Sequence, residues 1–79
     1  MKLIEYLNMV NMFHSLVLRE STGTSGTFAG KLGISQSNLY IMINDLRDMG
    51  IDIRYSRERQ TFYYAFPNEV ECHLIIRHI

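Results

Sequence analysis

Four residues, Leu32-Gly33-Ile34-Ser35, constrain this chain more than any other stretch. Glycine takes a positive φ at little steric cost, and just after a helix it lets the backbone curl left-handed and satisfy the last carbonyls. Gly33 is therefore expected to stop a helix over about 25–32. Two residues later, Ser35 has the side chain of an N-cap. Its hydroxyl can accept from the backbone N–H of Ser37 or Asn38 and open a new helix, about 36–49. Ile34 is expected to plug the angle between them. A stop and a start this close make two short helices cross rather than run on.

The apolar spacing on either side agrees. Phe28, Ala29 and Leu32 give the earlier helix its core contacts. Leu39, Ile43 and Leu46, at i, i+4 and i+7, do the same for the later one, with Met42 and Met49 flanking. The opposite face of the later helix shows Gln36, Ser37, Tyr40, Asn44 and Arg47, and Gly50 is expected to close it. Before this pair, Ser21–Gly26 reads as a break, in which Thr24 or Ser25 caps the earlier helix. Residues 2 to about 19 predict a long first helix. There Leu3, Leu7, Val10, His14 and Val17 recur at spacings of four, three, four and three and mark one amphipathic face. Ile4, Tyr6, Met9, Met12, Phe13, Leu16 and Leu18 leave little polar surface besides, so the helix is either wrapped on two sides by core or offers an outer seam to a second subunit.

After Gly50 the period changes. Ile51, Ile53 and Tyr55 alternate with Asp52 and Arg54, which predicts a strand. Ser56–Arg59 is polar and is expected to form a hairpin turn, and Thr61–Ala65 is β-branched and aromatic, the returning strand. Alternation requires one of Tyr63 and Tyr64 to face inward. Val70, Cys72, Leu74 and Ile76 alternate with Glu71, His73, Ile75 and Arg77 and predict a third strand over about 70–77, with a short helix as the alternative.

At 79 residues the chain is read as one small domain. Eight Lys and Arg balance eight Asp and Glu. Residues 21–44 carry Lys31 and no acid, whereas Asp45, Asp48 and Asp52 gather beyond them. The hairpin holds Arg54, Arg57 and Arg59 against Glu58, so one face can be locally positive. Cys72 is the single cysteine and forms no intrachain disulfide, which fits a cytoplasmic protein. No apolar run is long enough to span a membrane, and Glu5, Asn8, Asn11 and His14 break up any signal-peptide core.

From Gly23 to Gly50 the pattern G-T-x-x-x-x-A-x-x-L-G-I-S-x-S-x-L-Y-x-x-I-x-x-L-R-x-x-G resembles the winged helix-turn-helix of small bacterial regulators, such as the biotin-repressor and DeoR-type N-terminal domains. The downstream I-x-Y-S-R-E-R-Q-T-F-Y-Y is similar to their wing. The resemblance implies an α+β fold of three helices with a small antiparallel sheet, helix-turn-helix over about 24–49 and wing over about 51–66. It also implies sequence-specific binding of double-stranded DNA in transcription regulation. The helix at 36–49 would enter the major groove N-terminus first. Ser35, Gln36, Ser37 and Asn38 would then lie near base edges and phosphates, with Gln36 able to pair bidentately with adenine. Tyr40 would reach the backbone and Asn44 would sit one turn deeper. Thr24, Ser25 and Lys31 would serve phosphates. Arg54, Arg57 and Arg59 would bring the wing to the backbone or minor groove. A homodimer through the first helix or the C-terminal strand would read two half-sites.

The residues also support a rival, a winged helix used for protein contact. Net charge is zero, the first helix has an apolar outer side, and Ile41 stands where such recognition helices often carry Arg or Lys. Chemistry is not expected. His14 lies on an apolar stripe, and Cys72, His73 and His78 lack the partners of a zinc site. GTFAGKLG has neither the spacing nor the following Ser/Thr of a phosphate loop. No catalytic residue, metal, cofactor or small-molecule ligand is therefore assigned.

Overall fold

The computed structural model describes residues 2–67. Three helices, α1 (Leu3–Leu18), α2 (Ser25–Leu32) and α3 (Gln36–Asp48), precede a hairpin of β1 (Ile53–Ser56) and β2 (Thr61–Tyr64). The two strands pair antiparallel in one sheet. This is a winged-helix-like α+β arrangement, in which α1 packs on α2 and β2, and α3 on α2 and β1. The strand expected over about 70–77, with Cys72, His73 and His78, lies outside the described residues.

Local chemistry sets the helix ends. Thr24 caps α2, its hydroxyl accepting from the Thr27 N–H at 3.4 Å, and Ser35 caps α3, accepting from the Asn38 N–H at 3.1 Å. The three helices end on one hydrogen-bond pattern, in which two successive N–H groups fold back onto carbonyls of the last turn. At α2 these are Gly33 onto Gly30 and Ile34 onto Ala29; at α3, Gly50 onto Arg47 and Ile51 onto Leu46. Gly33 and Gly50 have the positive φ this requires, 72° and 91°. At α1 the same place is held by Glu20, with φ 55°, its N–H donating to the Val17 carbonyl while that of Ser21 donates to Leu16. A left-handed non-glycine residue costs about 1 kcal/mol, and here the Glu20 carboxylate meets the Arg59 guanidinium of the hairpin turn.

The core centres on Phe28, which is fully buried. Its ring lies 5.0 Å from Phe13 of α1 and 5.6 Å from Phe62 of β2, and Phe62 in turn meets Tyr55 of β1 edge-on at 4.9 Å. Met9, Leu16, Val17, Ala29, Leu32, Leu39, Ile43, Ile51, Ile53 and Tyr64 close around these rings. Each large apolar side chain removed from water contributes about 1.5–3 kcal/mol.

Two expectations need correction. The α1 stripe built on Leu3 and Leu7 does not face the core: Leu3 is 74% exposed and Leu7 is 39% exposed. Met9, Phe13, Leu16 and Val17 face it instead. The helix is apolar on two adjacent faces, and the face carrying the Phe13 ring wins because it stacks on Phe28. The hairpin turn falls on Arg57–Gln60 rather than Ser56–Arg59, because Ser56 pairs with Thr61. The Ser56 hydroxyl accepts the Arg59 N–H at 3.3 Å, and Gln60 takes a left-handed φ of 50°. The expected alternation of the two tyrosines holds, with Tyr64 the buried one.

The break between α1 and α2 does more than turn. Thr22 and Thr61 are buried against each other, with hydroxyl oxygens 3.1 Å apart. The Thr22 N–H donates to the Thr61 hydroxyl at 3.1 Å, and the Phe62 N–H donates to the Thr22 hydroxyl at 2.9 Å. The Thr22 hydroxyl thus satisfies a backbone N–H on the edge of β2 that a neighbouring strand would otherwise have to meet, and the Thr61 hydroxyl satisfies one in the break. Replacing Thr22 with Val keeps the shape but strips the acceptor from a buried N–H. We expect Thr22→Val to lower unfolding free energy by about 1–3 kcal/mol, measured by urea titration with an unchanged slope.

Candidate nucleic-acid interface

Burial of Leu39 and Ile43 fixes the roll of α3, and with it what the helix displays. Gln36, Ser37, Asn38, Tyr40 and Asn44 are exposed, Tyr40 at 47%. Ile41 is more exposed still, at 57%. The first two turns of α3 therefore offer amides, hydroxyls and one phenol, with no acid until Asp45.

The helix pair is pinned at its open end. The Ser25 hydroxyl donates to Gln36 Oε1 at 3.3 Å. Gly26 lies under the same amide, where a β-carbon would come within 3.4 Å of Gln36 Nε2. Gln36 is thereby laid along the first turn of α2, with its Nε2 hydrogens and a second Oε1 lone pair still available. Thr24, the α2 cap, also meets the Thr27 hydroxyl at 3.1 Å. Lys31 donates from Nζ to the Ser21 carbonyl at 2.9 Å, which ties it to the α1–α2 break.

Arg47, expected on the outer stripe of α3, instead bridges to the hairpin, donating from Nε and Nη2 to the Ile53 carbonyl at 3.0 and 2.7 Å. This fork locks the angle between α3 and β1. It also brings Arg47 into a groove of about 310 Å3 with Thr24, Ser25, Tyr40, Tyr55 and Phe62. Thr24, Ser25 and Tyr40 are residues that the sequence places at an interface; Arg47 and Tyr55 are not. Arg47 carries the stripe of Ser37, Tyr40 and Asn44 one turn further, so its place on the face is legible, but its carbonyl partner on another element is not.

The hairpin's charge is largely committed within the fold. Arg54 forks onto Asp52 at 2.9 and 3.3 Å. That hydrogen bond holds the Asp52 carboxyl below its ordinary range and raises the Arg54 guanidinium above its own. Arg59 is drawn to Glu20 at the end of α1 and lies 5.2 Å over the Tyr63 ring. Arg57 is exposed and makes no contact of this kind among the described residues. The basic tip expected from three arginines thus comes down to one uncommitted guanidinium.

Elsewhere, His14 Nδ1 lies 3.1 Å from the Tyr64 hydroxyl, and burial raises the Tyr64 phenol well above its ordinary range. Among the described residues no three His, Cys, Asp or Glu side chains gather as a metal site, and no helix is long and apolar enough to cross a membrane. No family model matches the chain, and neither a curated protein nor a solved structure does.

The Arg47 fork makes a mechanical claim. Arg47→Met keeps most of the aliphatic stem and removes both bonds. We expect a loss of about 1–2 kcal/mol, the lower part of the range for bonds from a charged group because the site is only part-buried. Amide exchange should report it as faster opening of β1 than of α1.

Proposed function

We propose that this chain binds double-stranded DNA sequence-specifically, as a transcription regulator or an accessory factor, with α3 in the major groove and the hairpin against the backbone or minor groove. One observation carries the reading. The first two turns of α3 present Gln36, Ser37, Asn38 and Tyr40 outward, free of acid, on a helix whose roll and tilt are fixed by a packed core and the Arg47 fork. A major groove is read by hydrogen-bonding side chains at the N-terminal end of such a helix. Gln36 has the functional groups for adenine, and Ser37 suits either kind of base edge. Thr24, Ser25 and Tyr40 border a groove that a phosphate strand could follow. The sequence likeness to biotin-repressor and DeoR-type N-terminal domains points the same way, and such a role belongs in the cytoplasm.

A second reading is favoured by the charge. With Arg54, Arg59 and Lys31 engaged inside the fold and Ile41 exposed, the same surface suits an uncharged protein partner. Fold alone does not choose between them.

Selection of bound duplexes from a random pool, repeated over a salt series, separates the two. On the DNA reading a defined sequence is enriched, and Gln36→Ala relaxes the preference at one base pair at a cost of about 1–3 kcal/mol. Arg57→Ala weakens all duplexes alike and reduces the salt slope by about one. A pool from which the wild-type chain enriches nothing decides for the protein-contact reading.

A further inference from the structure

α1 packs on α2 and β2, and α3 on α2 and β1. Where α1 and α3 face each other they leave a groove of about 260 Å3. Its floor is aromatic, with Phe13 and Tyr64 buried beneath it. Half-buried Val10 and Met42 form its walls, and Tyr6, Met49 and Asp45 stand exposed at its mouth. At about 100° per residue, Asp45 and Met49 lie roughly half a turn around α3 from Gln36. The groove is therefore separate from the candidate nucleic-acid face.

Apolar and aromatic walls with a few placed polar groups are the make-up of a small-molecule site. A volume just under the usual range of about 300–1,000 Å3 suits a single ring rather than a larger ligand. The rings of Tyr6, Phe13 and Tyr64 and the thioethers of Met42 and Met49 favour an aromatic guest. No Lys or Arg lines the groove. Its one carboxylate is Asp45, which makes no ion pair or side-chain hydrogen bond among the described residues. The Tyr64 hydroxyl meets His14 Nδ1, and burial raises the phenol so that it stays neutral. A carboxylate beside aromatic faces selects a cation, by Coulomb attraction and through the ring quadrupoles. We propose that this groove binds a small aromatic ammonium compound, its ring on Phe13 and Tyr64 and its cationic end at Asp45.

Asp45 also decides against an apolar helix as the occupant. Seating one would strip water from the carboxylate and put nothing in its place. An ammonium group replaces that water with an opposite charge, whereas a phosphate or carboxylate would meet repulsion at the mouth. Met49 is unbranched and exposed, so it can turn onto a bound ring. A single ring makes few contacts, and the dissociation constant is accordingly about a millimolar.

Titration of the full chain with phenethylammonium chloride, followed by NMR without nucleic acid, tests this independently of the DNA reading. The Met42 and Met49 methyl signals and the Tyr6 ring signals should shift saturably, while the Met12 methyl, on the other side of α1, should not. Phenethyl alcohol, the neutral isostere, should bind about tenfold more weakly, and phenylacetate more weakly still. Asp45→Asn, at an exposed position, should bring the cation down to the level of the alcohol. It should leave binding of the alcohol and the circular dichroism spectrum unchanged. Asp48→Asn, close by on α3 but outside the lining, should bind like the wild type. The absence of a saturable shift at concentrations about twentyfold above the expected Kd overturns the proposal. So does equal binding of cation and alcohol, tighter binding of phenylacetate, or a preference for the cation that survives Asp45→Asn.

Discussion

Phe28 is the point on which the other contacts depend. It is the one ring that touches α1 through Phe13 and β2 through Phe62, while its own helix abuts α3. A small domain buries a smaller share of its surface than a large one, so it leans on a few large side chains. The rings form a chain from Phe13 to Phe28 to Phe62 to Tyr55, linking α1, α2, β2 and β1 in turn. Close packing of this kind leaves little freedom in the angles between elements. The two polar ties, Thr22 to Thr61 and Arg47 to the Ile53 carbonyl, fix what the rings leave open: the edge of β2, and the tilt of α3 against β1.

This frame bears directly on the candidate interface. Reading base edges needs side chains presented on a rigid element, since a loosely held helix loses geometric selectivity. α3 is held by Leu39 and Ile43 beneath, by the Ser25–Gln36 bond at its start and by Arg47 at its end. Its outer face is left to the polar side chains because every large aliphatic residue of the helix except Ile41 and the half-buried Met42 and Leu46 points inward. Tyr40 is the exposed aromatic among them, and it borders the groove that also takes in Tyr55.

What the sequence revealed and what it hid divide along physical lines. Helix stops and starts are local, so Gly33, Ser35, Thr24 and Gly50 could be read from close neighbours in the chain. The roll of α3 followed from one unambiguous apolar face. α1 has two such faces, and periodicity cannot say which one meets the core. Phe28 decides it from another helix, by stacking on Phe13. The Thr22–Thr61 pair spans 39 residues and joins a residue read as turn to one read as strand. Nothing in either neighbourhood announces it. The arginines show the same limit. Composition counts charges, but Arg59 and Arg47 are each taken up by a partner that only the folded chain brings into place, and Arg54 by its near neighbour Asp52.

That uptake of charge shapes how the domain could engage a duplex. Each phosphate neutralised by a free cation adds about one unit to the salt dependence of binding, and such contacts supply much of the affinity. Among the described residues the side chains placed for this are Arg57, which is uncommitted, and Lys31, Arg54 and Arg59, which must share or exchange a partner. The domain is thus a poor electrostatic ligand, and its hold on DNA would rest on shape and on the hydrogen bonds of α3.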